Sequence, residues 1–215
     1  MTRRPRVALK VGVWAVSLAP LAQLGWRAWT DDLGANPISF VTNTLGDWTF
    51  RLLLATLALT PLRIVTGMAW QMSLRRLLGL FTFAYAALHF GVWIVLDHFF
   101  NWSQLAEDLV KRPYITVGMT ALLLTIPLAA TSTTGMIKRL GAATWKRLHR
   151  LVYVVAVAAA LHFLWLAKVG RTDQYVHAAL VALFLGVRCW DAARRALRRR
   201  RVGAPAHPSS VTSVS

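Results

Sequence analysis

"LHRLVYVVAVAAALHFLW", residues Leu148 to Trp165, carries a histidine near each end of an otherwise apolar run. Between Leu151 and Leu161 there is no charged side chain at all. A helix needs about 20 mostly apolar residues to cross the roughly 30 Å hydrocarbon layer of a bilayer, and this run with its flanks meets that length. If it crosses a membrane, His149 and His162 lie at different depths on one helix, and the fold is a bundle of such helices.

The rest of the chain answers in the same sense. Of its 215 residues 56% are hydrophobic, ten are Trp, and the mean hydropathy is +0.48. That is more apolar surface than one soluble core of this size can hide. Six stretches qualify as spans, with approximate cores Val11 to Trp26, Trp48 to Val65, Leu77 to Leu96, Tyr114 to Ala130, Leu151 to Ala167 and Val176 to Trp190. The expected fold is therefore an all-α integral membrane bundle of six transmembrane helices. It is framed by a short N-terminal segment (1–10) and a basic tail (191–215) with nothing to bury, expected to be disordered. The first stretch reads as a span rather than a cleaved leader, being long for such a segment and lacking a small-x-small site after it.

The formal charge of +17 would suggest nucleic acid in a soluble protein. Here its distribution decides otherwise. Arg3, Arg4, Arg6 and Lys10, then Arg63, Arg75 and Arg76, then Lys138, Arg139, Lys146, Arg147 and Arg150, then the arginines from Arg188 to Arg201 all fall on one side of a six-span fold. Arg27, Arg51, Lys111, Arg112, Lys168 and Arg171 fall on the other, with every acid except Asp191. The excess of basic residues marks the cytoplasmic side. Both termini are thus expected in the cytoplasm. The lipid bilayer, not nucleic acid, is the partner this charge implies.

Other chemistry is narrowed by absence. With Cys189 as the single cysteine, an intrachain disulfide, a CxxC metal site and CxxCH haem attachment are excluded. No Walker loop, GxGxxG, GxSxG or HExxH occurs. The outer connections, including "TDDLGANPISF" and "HFFNWSQLAEDL", are too short for a catalytic domain and read as ordinary solvated loop. Pro113 suits the first turn of the fourth span, where its missing N–H costs nothing. "TSTTGMIKRLGAATWKRLHR" reads as a short helix in the interface, stopped at Gly141, with Trp145 as a membrane anchor.

Ionisable groups inside a membrane are costly and usually face the bundle interior, so His89 and His162 are the functional candidates. His149 is about 20 Å from His162 along the helix, too far to share a metal ion with it. His89 lies roughly 18 Å into the third span and His162 about 17 to 20 Å into the fifth, both counted from the cytoplasmic side. At matched depth on neighbouring helices, two neutral imidazoles can hold a six-coordinate haem that exchanges electrons without an open position for substrate. "FAYAALHF" and "VVAVAAALHF" leave room beside them for a flat macrocycle, although small residues also serve plain helix packing. His98, His177 and His207 read as surface or packing residues. Two other readings remain: a histidine-relay transporter, which lacks the further carboxylates such a relay needs in the span centres, and a haemless membrane scaffold. A terminal oxidase or direct ferric reductase would need an exposed or five-coordinate haem.

"RRLLGL", "ALHF", "KRPYITVG", "TSTTGMIKRLG" and "LHRLVYVVAVAAALHFLW", set in six spans, resemble the MsrQ family, formerly called YedZ, within the ferric-reductase-like transmembrane group. The resemblance implies a haem-binding membrane subunit of the bacterial methionine sulfoxide reductase system, an electron-transfer partner rather than the catalytic subunit. It implies haem b, one or two, and FMN as a further cofactor. The donor would be quinol or a cytoplasmic flavin reductase, and the acceptor a periplasmic molybdopterin-containing methionine sulfoxide reductase subunit. His89, His149 and His162 match the family's haem-associated histidines. Members of the wider group with two haems carry a second histidine on the third span, where this chain has Arg75 and Arg76. A haem on His149 would need another ligand or a five-coordinate iron, or His149 would serve a flavin instead. Arg75 and Arg76 could pair with a propionate or a flavin phosphate, since a guanidinium meets such anions bidentately.

Overall fold

The structure, a computed structural model, describes residues 3–68, 70–166 and 172–202, so Lys168, Arg171 and His207 lie outside the described residues. Among those residues every regular element is helical. In chain order they are α1 (Arg3–Trp29), α2 (Pro37–Thr66), a 3-10 segment (Trp70–Leu74) running into α3 (Arg75–Val92), a π turn (Trp93–Asp97), α4 (Trp102–Lys111), α5 (Pro113–Ala130), α6 (Thr134–Leu140), α7 (Ala142–Leu148), α8 (Leu151–Trp165) and α9 (Asp173–Val202). Six helical stretches are long and apolar enough to cross a membrane: Val7–Trp29, Pro37–Thr66, Trp70–Asp97, Pro113–Ala130, Ala142–Trp165 and Asp173–Arg199. The six-span expectation holds.

The helix ends follow from local chemistry. The Asn36 side chain accepts from Ser39 N–H at 3.0 Å and Pro37 occupies the first turn, a paired start signal for α2. This start lies well before Trp48, so Asp47, expected at the end of the span, stands inside α2, as Arg51 does. Pro113 opens α5 as expected. Thr133 Oγ1 accepts from Met136 N–H at 3.1 Å to start α6, and Gly141, at φ +75°, stops it before α7 begins. At the other face, the π turn and two consecutive left-handed residues, Phe99 (φ 47°) and Phe100 (φ 60°), redirect the chain into α4. The stretch expected to be plain loop is therefore partly a helix. Asn101 caps it, and His98 Nε2 meets Asp108 Oδ2 at 3.1 Å to fix it to the end of the third span. The last helix does not stop at 190 but continues to Val202; 203–215 lie outside the described residues.

α2 is the hub. Leu45, Leu52 and Leu59, spaced by seven, pack with Leu24, Leu78, Phe81 and Tyr85 from α1 and α3. Its other side, Phe50, Leu53, Leu54 and Leu57, packs with Val155, Ala156, Ala160 and Val181 from α8 and α9. A helix buried on both sides has no polar stripe to show. The remaining spans turn residues such as Trp14, Leu123, Ile126 and Leu183 outward, as lipid-facing helices do. The Tyr85 ring is wholly buried, and its hydroxyl donates to Ser17 O at 2.5 Å, linking α3 to α1. Tyr85→Phe should lower stability by about 1 kcal/mol, read as a lower unfolding midpoint in detergent; an unchanged midpoint would show the bond to be idle.

Candidate functional site

Two helix pairs each present one histidine to the bundle centre. α2 packs along α3, and α5 along α8. On the first pair, His89 of α3 directs Nδ1 at the carbonyl of Thr42 on α2, 2.9 Å away. On the second, His162 of α8 directs Nδ1 at the carbonyl of Tyr114 on α5, 2.7 Å away. A carbonyl only accepts, so each Nδ1 carries the hydrogen and each ring is the neutral tautomer with its lone pair on Nε2. Hydrogen bonding of one ring nitrogen to a carbonyl is the usual way a protein aims the other at a metal.

The two rings face each other, with centres 6.4 Å apart and planes inclined at 77°. Two metal–nitrogen bonds of about 2 Å each, extended by the distance from each nitrogen to its ring centre, place coaxial imidazoles about 6 Å apart. The axis through such a metal lies in both ring planes, so a large interplanar angle is compatible with it. Donor type, tautomer and spacing all fit a haem held between His89 and His162.

The glycines behind the rings were not singled out in the sequence. Gly46 is one helical turn beyond Thr42 and Gly118 one turn beyond Tyr114, and each lies under the imidazole that its helix orients. The first glycine was hidden in "VTNTLGDW", the second in plain view within "KRPYITVG". The signal that could have found them is a lone glycine in a membrane helix at the depth of a histidine on its neighbour.

His149 lies apart from this pair and in a different chemical state. Thr131 Oγ1 gives its one hydrogen to Pro127 O at 2.6 Å, so the contact of 3.1 Å with His149 Nε2 is a bond that His149 donates. Nε2 of His149 therefore carries the hydrogen, opposite to His89 and His162. Trp145 stacks on the ring, centres 3.8 Å apart, and its indole N–H donates to Thr131 O at 3.0 Å. The expected membrane anchor is thus turned inward, because that carbonyl at the end of α5 offers the indole a partner that lipid cannot.

This group borders a cavity of about 290 Å³ whose wall also includes Arg75, Arg76, Gly79, Thr82 and Ser132. Arg75 and Arg76 therefore meet His149 around one hollow, while His89 and His162 are not part of it. Arg76 also reaches Thr134 Oγ1 at 3.5 Å. The α3 residues on this wall, Arg75, Arg76, Gly79, Thr82 and Phe83, include no side chain that ligates haem iron, and among the described residues the wall has no second histidine; Met72, on the 3-10 segment before α3, is the one thioether on it. His177 packs against Phe50 and Phe163, its Nδ1 on Asp173 O at 2.6 Å, the packing role expected of it.

Comparison with known proteins places these residues in a family. The profile of a family described as the ferric reductase like transmembrane component matches residues 45–160. Proteins named as the haem-binding subunit MsrQ of protein-methionine-sulfoxide reductase are similar over most of the chain. The protein from Ralstonia nicotianae is 47% identical over 186 residues, 85% of either chain. That from Xanthomonas campestris pv. campestris is 46% identical over 210 residues, 94% of this chain and 96% of its own. That from Rhodospirillum rubrum is 46% identical over 194 residues, 90% and 91%. No solved structure matches the chain.

Proposed function

The chain belongs to the MsrQ family of haem-binding membrane subunits, and from that premise we propose that it carries electrons across the bacterial inner membrane through a haem b held between His89 and His162. The observation that carries this reading is the opposed pair of imidazoles, 6.4 Å apart, each with Nδ1 committed to a backbone carbonyl. A haem ligated on both faces supplies one-electron transfer with no open position for substrate. The chain's own residues fix the tautomers, set the ring axes and surround the site with apolar helices, which is the protein's share in tuning such a cofactor.

The direction follows from charge. The face that carries Arg75, Arg76, Lys138, Arg139, Lys146 and Arg147 is the cytoplasmic one. The donor's electrons enter there, at the hollow bordered by Arg75, Arg76 and His149, from quinol or from a flavin reductase by way of FMN. The two guanidinium groups suit the phosphate of FMN. The haem lies nearer the opposite, periplasmic face, where the acceptor is the molybdopterin-containing methionine sulfoxide reductase subunit. The relatives' name couples them to that reductase system.

One haem per chain is expected, because His149 holds its Nε2 hydrogen against Thr131 and no second histidine among the described residues lines its cavity. His149→Ala should leave the haem content and spectrum of the purified protein unchanged while lowering the FMN retained per chain. Loss of haem in that variant would place iron on His149. The test of the whole reading is the reduced-minus-oxidised visible spectrum of the detergent-purified protein, with haem and FMN counted per chain. A six-coordinate b-type spectrum supports it; a colourless protein made with ample haem overturns it in favour of a scaffold or a transporter.

A further inference from the structure

Among the described glycines, Gly46 and Gly118 alone have a neighbour within 4 Å of the place a Cβ would take, and in both cases the neighbour is one of the two opposed histidines. At Gly118 that carbon would stand 2.8 Å from Nδ1, 2.9 Å from Cε1 and 3.2 Å from Cγ of His162. At Gly46 it would stand 3.1 Å from Cε1 and 3.3 Å from Nδ1 of His89. Gly12, Gly25, Gly79, Gly91 and Gly186, also helical, have open space at that position.

We propose that Gly46 and Gly118 are positioning residues for the haem ligands: by lacking a Cβ, each lets an imidazole lie against the neighbouring helix and donate Nδ1–H to the carbonyl one turn earlier, which aims Nε2 along the shared axis. This rests on the haem reading of His89 and His162.

The geometry requires a residue without a side chain at these two places. A carbonyl inside a helix already accepts from the N–H one turn on, and it points along the helix toward the residue four further. An imidazole that takes its second lone pair must therefore sit over that fourth residue, which is Gly46 for Thr42 and Gly118 for Tyr114. With alanine there, ring and Cβ would compete for one volume. The ring would retreat, lose the carbonyl and tilt Nε2 off the axis. Because both rings are anchored by the same device on different helix pairs, a retreat of either one breaks the coaxial alignment. The contacts are unequal, so the effects should be too: at Gly118 the ring has to move, whereas at Gly46 a few tenths of an ångström relieve the contact.

The experiment uses the full chain with haem bound, measuring haem per chain, the visible spectrum and the midpoint potential for the wild type and for Gly118→Ala, Gly46→Ala, Gly186→Ala and His162→Ala. Gly118→Ala should weaken haem retention about ten- to a hundredfold, the scale on which partners that orient a metal ligand act. Gly46→Ala should retain haem with a shifted potential, and Gly186→Ala should match the wild type. A second measurement separates this from simple misfolding. Thermal stability of the haem-free protein should fall on Gly118→Ala when His162 is present and should not fall in the His162→Ala background, where the imidazole is gone and alanine is the better helix former. Full occupancy with an unshifted potential in both glycine variants would overturn the positioning role while leaving the haem reading intact. Retention of haem by His162→Ala would overturn the haem reading itself.

Discussion

His162→Ala should remove the six-coordinate b-type absorbance proposed for the purified protein, and His89→Ala should do the same. Each substitution deletes one of the two imidazoles whose ring centres lie 6.4 Å apart. Tyr114, whose ring centre is 6.2 Å from that of His162, takes part through its backbone carbonyl, which holds Nδ1. The bundle should survive both changes. Its two apolar clusters are built from other residues, and a half-buried imidazole replaced by a methyl group disturbs neither. The readout is haem per chain with the reduced-minus-oxidised spectrum, alongside helix content as a check on folding. Chemical rescue sharpens it: in His162→Gly, free imidazole should restore the six-coordinate spectrum, since the missing group is a ligand and not a packing element. A wild-type spectrum in either alanine variant would move the haem elsewhere in the bundle.

Much of this site was legible in the sequence because depth in a membrane helix is a count of residues. His89 and His162 could be paired from the rise per residue alone, and the structure places their rings together. What the count cannot supply is rotation about the helix axis. It could not show that Gly46 lies under His89 and Gly118 under His162, since that depends on which face α2 turns to α3 and α5 to α8. Trp145 failed for a related reason. Aromatic residues near a membrane boundary commonly serve as anchors, but the carbonyl of Thr131, fourteen residues earlier, competes for the indole and pulls it inward. The family pattern matches three histidines without saying what each one holds. Their hydrogen bonds divide them into two Nδ1–H rings and one Nε2–H ring, and the proposed role of His149 at the basic hollow rests on that division and on its place in the cavity wall. The apolar core Trp48 to Val65 lies inside α2 without locating its start, because hydropathy finds where a helix is apolar, not where it begins; Asn36 and Pro37 mark that start.

Arg188→Met should destabilise the protein by about 1 kcal/mol more when residue 61 is proline than when it is alanine. Pro61 lies inside α2 and has no N–H, so the carbonyl of Leu57, four residues earlier, lacks its helical partner. The guanidinium of Arg188 on α9 reaches across and donates to that carbonyl, while a second nitrogen donates to Phe184 O at 2.8 Å and the group sits 5.7 Å from the centre of the Tyr153 ring. A charge within a span is thereby explained as the replacement for a missing backbone donor, a form of repair that proline in membrane helices commonly needs. The sign for Arg188→Met alone is ambiguous, because losing a charge favours burial while orphaning a carbonyl opposes it by about 1–3 kcal/mol. A double-mutant cycle cancels the first effect and keeps the second. Pro61→Ala restores an N–H to Leu57 O, and the arginine then becomes dispensable for it. Hydrogen bonds between membrane helices average about 0.6 kcal/mol and reach about 1.7, which sets the expected coupling near 1 kcal/mol. The four proteins would be compared by unfolding in mixed detergent micelles. Additivity within about 0.3 kcal/mol would mean that Leu57 O finds its partner without Arg188, and that the arginine stays in α9 only for its charge at the basic face.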